Sequence, residues 1–365
     1  MSVSAKDGMN YAPRGKPSPV VAPGEFIFAA TALDHGHIFG QCNGLVEAGG
    51  TLKWVYDRDP ARAASFAERY PGVQIARSED EILQDASVHL VAAAAVPCDR
   101  GPLGVRVMEH GKDYFTDKTP FTRMEQLERA RATAAATGRK YMVYFSERLH
   151  VECAVYAGDL IKEGAIGRPF HVMGLGPHRL NAPTRPAWFF EHAKYGGILC
   201  DIGSHQIEQF LHYTGAKDAS VQFSRAGNVN NPAHPELEDF GDASLVADNG
   251  ATNYFRVDWF TPEGLGTWGD GRTMILGTEG YIEMRKYVDV GRSANTDTLI
   301  LVNQKGTQVL DLAGKVGYPF FGRLILDCLH RTENAMTQAH AFKAAELCLI
   351  AQERAVHLPP GAGPA

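Results

Sequence analysis

An aspartate and a histidine four positions apart are the first candidates for chemistry in this chain. Asp201 and His205 lie in the segment GGILCDIGSHQIE, which runs into a helix predicted from about Ser204 to Tyr213. Residues four apart share one face of a helix, so the two side chains could act together. A histidine can remove a proton near neutral pH, while a carboxylate orients it or a substrate. A buried structural His–Asp pair explains the spacing equally well.

A lysine at the end of an apolar segment is the second candidate. Lys118 stands in YFTDKTP, directly after a predicted strand and shortly before a proline. If that strand belongs to a parallel sheet, Lys118 lies at the carboxyl edge, where open α/β sheets bind ligands. There a lysine can hold a substrate hydroxyl and stabilise a developing alkoxide. A solvated loop lysine is the plainer alternative.

The turn after the first predicted strand lacks the glycines that dinucleotide-binding folds normally place there. In such folds G-x-G-x-x-G permits a tight turn and a close approach of the backbone to a pyrophosphate. Here the sequence is ALDHGHI, with Ala32, Asp34 and His37 at the glycine positions. The Asp34 carboxylate would repel a phosphate unless it turns away, whereas His35 or His37 could donate to one at a helix N-terminus. A surface turn with an aspartate cap is the alternative.

The second predicted strand supports dinucleotide binding better. TLKWVYD ends at Asp57, about 20 residues beyond the first turn, where an acid can accept both ribose hydroxyls of an adenosine. Asp57 therefore favours NAD over NADP, whose 2′-phosphate it would repel. Arg58 weakens this inference, because a guanidinium can stack on adenine or pair with that phosphate. Asp59 and Pro60 also suit the cap and first residue of a helix, so the segment could be a polar loop alone.

Two polar and aromatic segments precede the Asp201 segment and are candidates for substrate contacts. GPHRLN and RPAWFF contain His178, Arg179 and Trp188, whose types suit stacking on a sugar face with hydrogen bonds around it. A Trp-Phe-Phe run also occurs in cores and subunit contacts. His178, Asp201 and His205 could in principle ligate a metal, but three ligands without known supporting partners are weak grounds. We predict no metal site.

The elements that must position these residues alternate in the first half of the chain. Apolar runs such as FIFAATAL, TLKWVYD, VHLVAAAAV, KDYFTDKTP and RKYMVYF are separated by helical stretches. Alternation at this spacing implies parallel strands with crossover helices. We predict a Rossmann-like doubly wound parallel sheet over residues 25–146, preceded by a proline-rich N-terminal arm over residues 1–24.

From residue 147 the pattern changes to strands in succession. After one helical segment, VECAVYAGDLIKEGAIG, strand-like runs are punctuated by Gly, Asn and Asp turns, and two helical patterns close the chain. Strands joined by short turns favour an antiparallel or mixed sheet. We therefore predict an α/β protein whose second domain, residues 147–365, is an α+β unit with a mostly antiparallel open sheet.

Composition narrows the function classes. The chain has 365 residues, of which 44% are apolar and 21% charged, which is ordinary for a globular protein and suits two domains. A net charge of −6 argues against nucleic-acid binding. The longest apolar runs fall short of the roughly 20 residues that a membrane helix needs. Scattered cysteines without a C-x-x-C pair and an N-terminus without an apolar signal core suggest a cytoplasmic protein.

Two of these segments resemble the signatures of one enzyme family. DKTP is similar to the E-K-P loop, and GGILCDIGSH to the G-G-x-x-x-D-x-G-x-H signature, of the glucose-fructose oxidoreductase and inositol dehydrogenase family (Gfo/Idh/MocA). The order of the other elements from Glu25 onward resembles that family as well. The resemblance implies an enzyme that binds NAD, or NADP, and transfers a hydride to or from a hydroxyl-bearing carbon of a sugar, cyclitol or similar polyol. It also implies a homo-oligomer, a dimer or tetramer, assembled through the flat face of the second sheet.

Roles in the family carry over to the matching positions. The resemblance implies that His205 removes the hydroxyl proton, Lys118 steadies the oxygen and Asp201 helps to fix the sugar. These three are the predicted catalytic residues. The predicted substrate contacts are His178, Arg179, Trp188 and Asp201. The predicted cofactor contacts are Asp34, His35, His37, Ile38, Asp57, Arg58, Pro97 and Lys118.

Departures from the family pattern leave two other functions open. The glycine-rich turn is absent, Asp117 replaces the usual glutamate, Thr119 follows the lysine, and Glu208 replaces an acid that is often Asp. One alternative is an NAD-dependent enzyme that cleaves or epimerises glycosides by transient oxidation and recycles its bound cofactor. The other, motivated by Asp34 and the missing glycines, is a sugar-sensing relative without catalysis.

Overall fold

The chain divides into two compact units in the computed structural model, which describes residues 6–292 and 296–359. One unit comprises Met9–Tyr144 and Tyr318–Phe342. The other comprises Phe145–Gly317 with the described residues before Met9 and after Phe342. The ends of the predicted arm and of the predicted second domain, residues 1–5 and 360–365, lie outside the described residues. Among the helices described, none is both long and apolar enough to cross a membrane.

A six-stranded parallel sheet forms the centre of the first unit and confirms the predicted Rossmann architecture. Its strands are β1 (Ile27–Thr31), β2 (Thr51–Tyr56), β3 (Gln74–Ile75), β4 (Leu90–Ala93), β5 (Asp113–Asp117) and β6 (Tyr141–Tyr144). They are arranged in the order β3-β2-β1-β4-β5-β6, and every neighbouring pair is parallel. The order reverses between β1 and β4, which is where doubly wound sheets bind their ligands.

Helices follow the strands of this sheet, as its parallel connections require. They are α1 (His37–Glu47), α2 (Pro60–Arg69), α3 (Glu79–Gln84), α4 (Pro97–Glu109) and α5 (Met124–Thr137). The predicted cap of α2 is present, because the Asp59 carboxylate accepts the Ala61 N–H and Pro60 is the first helical residue. Strands β4 and β5 are buried along their whole length, as central parallel strands are when helices cover both faces.

Part of the predicted N-terminal arm docks on the end of α1. The N–H groups of Ser18 and Val20 donate to the carbonyls of Glu47 and Ala48 at 2.8 and 3.0 Å. The Gly15 N–H donates to the Glu47 carboxylate at 2.9 Å. A segment without regular structure thus satisfies backbone carbonyls that the helix end leaves open.

A nine-stranded mixed sheet forms the centre of the second unit. Its strands are β7 (Pro169–Pro177), β8 (Ala219–Gly227), β9 (Phe240–Ala247), β10 (Thr252–Asp258), β11 (Arg272–Gly277), β12 (Gly280–Arg285), β13 (Thr298–Asn303), β14 (Gly306–Asp311) and β15 (Val356–His357). They are arranged in the order β14-β13-β12-β11-β7-β10-β9-β8-β15. The pairs β7–β10 and β8–β15 are parallel and the others antiparallel. The prediction of a mostly antiparallel sheet is confirmed.

Helix α10 packs on one face of this sheet because glycines on β7 leave room for it. The helices of this unit are α6 (Ser146–Leu149), α7 (Glu152–Lys162), α8 (His192–Tyr195), α9 (Ile198–Asp201) and α10 (Gly203–Thr214). Helix α11 (Pro319–His330) belongs to the first unit, and α12 (Gln338–Glu353) begins in the first unit and ends in the second. A Cβ at Gly174 would lie 2.1 Å from the side-chain oxygen of Gln206 on α10. The backbone of β7 therefore comes close enough to α10 to bring its polar residues against the sheet.

The opposite face of the sheet carries several apolar side chains that are exposed or partly exposed. Phe223 and Tyr254 have ring centroids 6.4 Å apart, and the strand register places Met173 beside Tyr254. Continuing across the sheet, Ile300 and Val309 are register partners on the two outermost strands of that side. Phe223 is 42% and Val309 48% exposed. The register also places Ser244 between Phe223 and Tyr254, and Glu283 between Met274 and Ile300, so polar side chains interrupt the apolar ones on this face.

Candidate functional site

A cavity of about 610 Å³ lies at the carboxyl ends of β1, β2 and β4 in the first unit. Three of the predicted cofactor contacts, Asp34, Asp57 and Arg58, line it. Its volume lies within the range of small-molecule pockets, roughly 300–1,000 Å³. Its position at the reversal of strand order is where this architecture binds nucleotides. The cavity therefore fits the adenosine half of a dinucleotide.

The turn after β1 adopts a glycine-like backbone although it contains no glycine at that point. Ala32 has a φ of 50°, in the left-handed region that favours glycine. The next residue, Leu33, donates its N–H to the Asp57 carboxylate at 2.7 Å. Helix α1 then begins at His37. The chain thus makes the tight turn by holding an alanine in a strained conformation and tying the following residue to β2.

The negative charge of Asp34 is paired with an arginine. Arg62 Nη1 lies 2.6 Å from Asp34 Oδ1, and Arg62 Nε lies 3.3 Å from Asp57 Oδ1. Because the guanidinium compensates both carboxylates, the repulsion expected between Asp34 and a phosphate is reduced. Asp57 is only 6% exposed and also accepts the Asp59 N–H at 2.8 Å. The protein therefore fixes the Asp57 carboxylate on the cavity wall.

Two buried histidines lie against Asp117. His37 Nδ1 is 3.0 Å from Asp117 Oδ1, and His35 Nδ1 is 3.5 Å from Oδ2. The His37 N–H donates to His35 Nδ1 at 3.2 Å, so that nitrogen carries no proton. Burial and the neighbouring His37 lower the pKa of His35 and keep it neutral. Burial alone would raise the pKa of Asp117, but His37 and Arg100 outweigh it and hold the pKa well below its usual range. Asp117 is therefore an ionised acceptor that orients His37.

The same three side chains have the composition of a metal site, but their surroundings are positively charged. The ligand atoms of His35, His37 and Asp117 lie within 4.8 Å of one another. Arg100 Nη2 lies 3.3 Å from Asp117, and the Arg100 guanidinium also donates to the Lys118 carbonyl. A divalent cation at this point would be repelled by the buried guanidinium. The cluster suits an internal ion pair better than a metal.

The other predicted cofactor contacts follow the neighbouring strands. Lys118 comes directly after β5 and is 5% exposed, as a residue at the carboxyl edge of the sheet. Pro97 begins α4, shortly after β4. The side chain of Ile38 is 1% exposed in the core, and its N–H donates to the His35 carbonyl at 3.2 Å. Contacts of these residues with a cofactor stay predictions.

In the second unit, Asp201 and His205 lie on two consecutive helical segments. Asp201 is the last residue of α9, His205 belongs to α10, and Ile202 separates the segments. The predicted helix of about Ser204 to Tyr213 corresponds to α10. Asp201 is 8% and His205 2% exposed. The signature segment therefore buries both side chains within one unit.

A buried carboxylate that the sequence analysis missed lies beside the predicted histidines. Glu147 is 1% exposed, and its Oε2 accepts from Lys286 Nζ at 2.9 Å and from Gln206 Nε2 at 3.1 Å. Its Oε1 lies 3.9 Å from His178 Nε2. Burial alone would raise the pKa of Glu147, but Lys286, His205 and His178 lower it to about 2. Glu147 is therefore ionised at neutral pH and acts electrostatically on both imidazoles.

The partner of Glu147 connects this carboxylate to the backbone of α10. Lys286 is fully buried, and its Nζ also donates to Gln209 Oε1 at 2.8 Å. The Gln209 amide in turn donates to the His205 carbonyl at 2.8 Å. This chain of hydrogen bonds holds the start of α10 in place. The orientation of His205 therefore depends on residues far from it in sequence.

The predicted substrate contacts fall into different environments. His178 is buried, and its ring lies 5.5 Å from that of Trp259. Arg179 is 2% exposed, and its guanidinium binds the Glu263 carboxylate at 2.9 Å and two backbone carbonyls. Trp188 is partly exposed in a short 3-10 helix. His178 thus lies with the Glu147 cluster, whereas Arg179 directs its hydrogen bonds to the protein, and substrate contact by these residues stays a prediction.

Glu208, one of the departures from the family signature, has a structural partner. Arg148 Nε donates to both Glu208 carboxylate oxygens, at 2.8 and 2.9 Å, and both side chains are buried. A forked guanidinium–carboxylate pair of this kind fixes the relative orientation of the elements that carry it. Glu208 therefore connects α10 to α6.

A Rossmann unit with a pocket at its strand reversal, in a chain that buries a D-x-G-x-H segment, defines an NAD-binding oxidoreductase. Residues 34–145 match the family model described as an oxidoreductase family with an NAD-binding Rossmann fold. Residues 155–283 match the model of the GFO/IDH/MocA C-terminal domain. The chain belongs to the Gfo/Idh/MocA family.

Known proteins resemble the chain to different extents. It is 29% identical over 212 residues to scyllo-inositol 2-dehydrogenase (NAD(+)) of Bacillus subtilis (strain 168), a match covering 56% of this chain and 58% of that protein. It is 25% identical over 216 residues to D-xylose dehydrogenase of Paenarthrobacter nicotinovorans, covering 57% and 53%. These matches span little more than half of each relative. A crystal structure from Erwinia carotovora atroseptica SCRI1043, whose description proposes an oxidoreductase, shares 50% identity over 92% of this chain and 100% of that one, with a TM-score of 0.89.

No sequence motif marks Glu147 or Lys286 as a site residue. Glu147 comes shortly after β6, so a charged residue at the end of a buried strand was a usable signal. Lys286 follows β12 in a segment that carries no motif. The two residues are 139 positions apart, and only the folded chain brings them together.

Proposed function

We propose that this protein transfers a hydride between a nicotinamide cofactor and a hydroxyl-bearing carbon of a sugar, cyclitol or sugar derivative. The observation that carries the proposal is the buried set of Asp201, His205 and Glu147 in a chain whose other unit is an NAD-binding Rossmann domain. When bound, the nicotinamide supplies the hydride acceptor or donor. The activities named for the inositol and xylose dehydrogenase relatives support a polyol or sugar substrate.

The proposed roles follow from the chemistry of each side chain. His205 accepts the proton of the substrate hydroxyl as the hydride leaves the same carbon. The Glu147 carboxylate stabilises the imidazolium that forms, because opposite charges in a buried site interact strongly. Asp201 accepts a hydrogen bond from a substrate hydroxyl. Lys118 donates to the substrate oxygen and stabilises the negative charge that develops there.

The test is steady-state oxidation of a panel of sugars and cyclitols, followed by nicotinamide absorbance. His205→Ala should lower kcat on the order of 10² to 10⁴-fold, as loss of a general base does. Lys118→Ala should also lower kcat. His110→Ala, at an exposed position on the end of α4, is the matched control and should leave kcat unchanged.

Two results would contradict the proposal. Absence of NAD(H) and NADP(H) binding in a titration, together with no hydride transfer across the panel, would overturn it. Full turnover by His205→Ala at neutral pH would overturn the role of His205. Sugar release with tightly retained cofactor and no net absorbance change would instead support glycoside cleavage by transient oxidation.

We also propose that NAD is preferred over NADP. The Asp57 carboxylate is fixed on the cavity wall by the N–H groups of Leu33 and Asp59, so it can accept ribose hydroxyls and would repel a 2′-phosphate. Asp57→Ser should therefore weaken NAD binding and bring the dissociation constants for NAD and NADP closer together. Quenching of protein fluorescence measures both constants. Equal affinity of the unmodified protein for both cofactors would contradict this preference.

A homo-oligomer, a dimer or tetramer, is a further part of the proposal. Its interface would be the open face of the nine-stranded sheet, where the apolar side chains of Met173 and Phe223 are 36% and 42% exposed. Met173→Glu should place a charge in that interface and shift the mass measured by light scattering towards the monomer. A monomeric mass for the unmodified protein would contradict it.

We propose a cytoplasmic location. The cysteines that the structure describes form no disulfide, and most of them are buried, which suits a reducing compartment.

A further inference from the structure

Arg185 is a buried cation in the second unit, in the segment between β7 and α8. It lies between two short 3-10 helices, Ala182–Thr184 and Ala187–Phe190, and is 9% exposed. Its guanidinium carbon lies 4.6 Å from the ring centroid of Phe189 and 5.1 Å from that of Trp259. Two aromatic rings therefore flank the guanidinium, at distances that suit cation–π attraction.

The hydrogen bonds of Arg185 leave part of its guanidinium available. Nε donates to the Leu180 carbonyl at 2.8 Å, and Nη2 donates to the Arg179 carbonyl at 3.2 Å. Within residues 6–292 and 296–359, Nη1 has no hydrogen-bond partner and no carboxylate lies within ion-pair distance of the group. The side chain therefore keeps donor capacity that the surrounding protein does not use.

The other buried arginines of the described chain all have an acidic partner. Arg100 lies 3.3 Å from Asp117, Arg179 lies 2.9 Å from Glu263, and Arg148 is bound by Glu208. Arg185 differs from them although it is equally buried. A buried charge is normally paired, because leaving it alone in a poorly solvated site costs free energy.

Electrostatics indicate that an anion would stabilise this group. Burial lowers the pKa of Arg185 to about 10, against the opposing influence of Asp7 and Asp201, which act without contacting it. Its charge is thus compensated only partly by the protein. An anion placed on the guanidinium would complete that compensation.

Arg185 is also close to the residues of the proposed substrate site within the same unit. Asp201, one of the predicted catalytic residues, interacts with it electrostatically. The ring of Trp259, which lies beside the Arg185 guanidinium, is 5.5 Å from the His178 ring. Arg185 therefore lies in the same part of the second unit as Asp201 and His178.

We propose that Arg185 binds the carboxylate of the substrate, which makes the substrate a sugar acid such as a uronate or an aldonate. This inference rests on the proposed function and specifies its substrate class. One guanidinium matches the single charge of a carboxylate. A phosphate monoester carries −1.5 to −2 charges at neutral pH, and with Asp201 and Asp7 nearby the excess negative charge would be left uncompensated.

The test compares acids with their neutral counterparts by calorimetric titration of the protein saturated with NAD. The pairs are D-glucuronate with D-glucose, D-galacturonate with D-galactose, and D-gluconate with D-glucitol, at one ionic strength. At least one acid should bind on the order of tenfold to a hundredfold more tightly than its counterpart, as a hydrogen bond to a charged group contributes. Absence of such a preference in every pair overturns the proposal. Tighter binding of D-glucose 6-phosphate than of every acid overturns the assignment to a carboxylate.

Variants connect the preference to this side chain. Arg185→Gln should abolish the preference for the acid over its neutral counterpart. Arg185→Lys keeps the positive charge but cannot form two parallel hydrogen bonds to a carboxylate, so it should retain part of the preference. Arg168→Gln, at an exposed position, is the control and should leave it unchanged. A preference that survives in Arg185→Gln overturns the proposal, and the comparison within the unmodified protein stands even if that variant fails to fold.

The outcomes separate this inference from the proposed function. If an acid binds in an Arg185-dependent manner but no substrate changes the nicotinamide absorbance, the carboxylate site stands and the redox function fails. If neutral sugars are oxidised and no acid is preferred, the redox function stands and the carboxylate site fails.

Discussion

Replacement of Glu147 by glutamine should destabilise the second unit by about 3 kcal/mol. The pKa of Glu147 falls from its usual 4.5 to about 2 in the folded protein. A change of 1 in a pKa corresponds to about 1.4 kcal/mol of free energy. Removal of one partner from a buried ion pair costs about 3–5 kcal/mol, which agrees in magnitude. Lys286, which is fully buried, would keep its charge without a counter-ion.

The assay is urea unfolding followed by tryptophan fluorescence. Of the four tryptophans in the chain, Trp188, Trp259 and Trp268 belong to the second unit, so the signal reports mainly on that unit. Glu279→Gln, at an exposed acid of the same unit, is the matched control and should change stability by no more than about 0.5 kcal/mol.

The effect should depend on pH in a defined direction. Folding lowers the pKa of this carboxyl from about 4.5, so the ionised group stabilises the folded protein fully when the pH is above 4.5. The contribution disappears as the pH falls through the pKa of the folded state. The difference between the unmodified protein and Glu147→Gln should therefore be full at neutral pH and shrink between about pH 4.5 and about pH 2. The double variant Glu147→Gln/Lys286→Met should recover most of the loss, because it removes both charges.

Two results would refute this reasoning. If Glu147→Gln were as stable as Glu279→Gln at neutral pH, the ion pair with Lys286 would not contribute as the burial implies. If the costs of Glu147→Gln and Lys286→Met simply added in the double variant, the two groups would not be coupled.

Three further predictions concern the backbone and another titrating pair. Gly44→Ala on α1 should cost about 1–3 kcal/mol despite the better helix propensity of alanine, because its Cβ would lie 2.4 Å from the Phe321 ring; thermal unfolding measures this. Ala32→Gly should raise stability by up to about 1 kcal/mol, since it relieves a φ of 50°, and a lower melting temperature would contradict it. Glu238 raises the pKa of His192, so their pair stabilises the folded protein fully below the pKa of the unfolded histidine and ceases to do so as the pH rises through the folded pKa. His192→Gln should therefore destabilise the protein at about pH 6 and have little effect at about pH 9. Urea unfolding at the two pH values measures this difference.

The sequence predicts the central elements of both units because their patterns are long and regular. The strands that end directly before Asp57 and Lys118, and the helix that carries His205, are present close to their predicted positions. The sequence patterns do not predict β3 or β14. Strand β3 has two exposed residues, and β14 is largely exposed, so neither shows the apolar alternation by which strands are recognised.

The candidate site is predictable where it depends on local motifs and not where it depends on pairing. Asp201 and His205 lie in one short segment whose spacing points to them. Glu147 and Lys286 form an ion pair although they are 139 positions apart, and no local sequence pattern predicts that pair. The availability of Arg185 depends on the absence of a partner among the described residues, which only a three-dimensional inventory can reveal.

The left-handed alanine at the first turn has a consequence for how such proteins are recognised. A search based on glycine spacing would pass over this chain, although its strand order is that of a nucleotide-binding sheet. What the phosphate-binding loop must conserve is a backbone shape, and here a tether from Leu33 to Asp57 can impose that shape on an ordinary residue. Glycine is thus one way to meet a conformational requirement. Sequence motifs that require glycine miss nucleotide-binding folds in which another residue adopts the same backbone conformation.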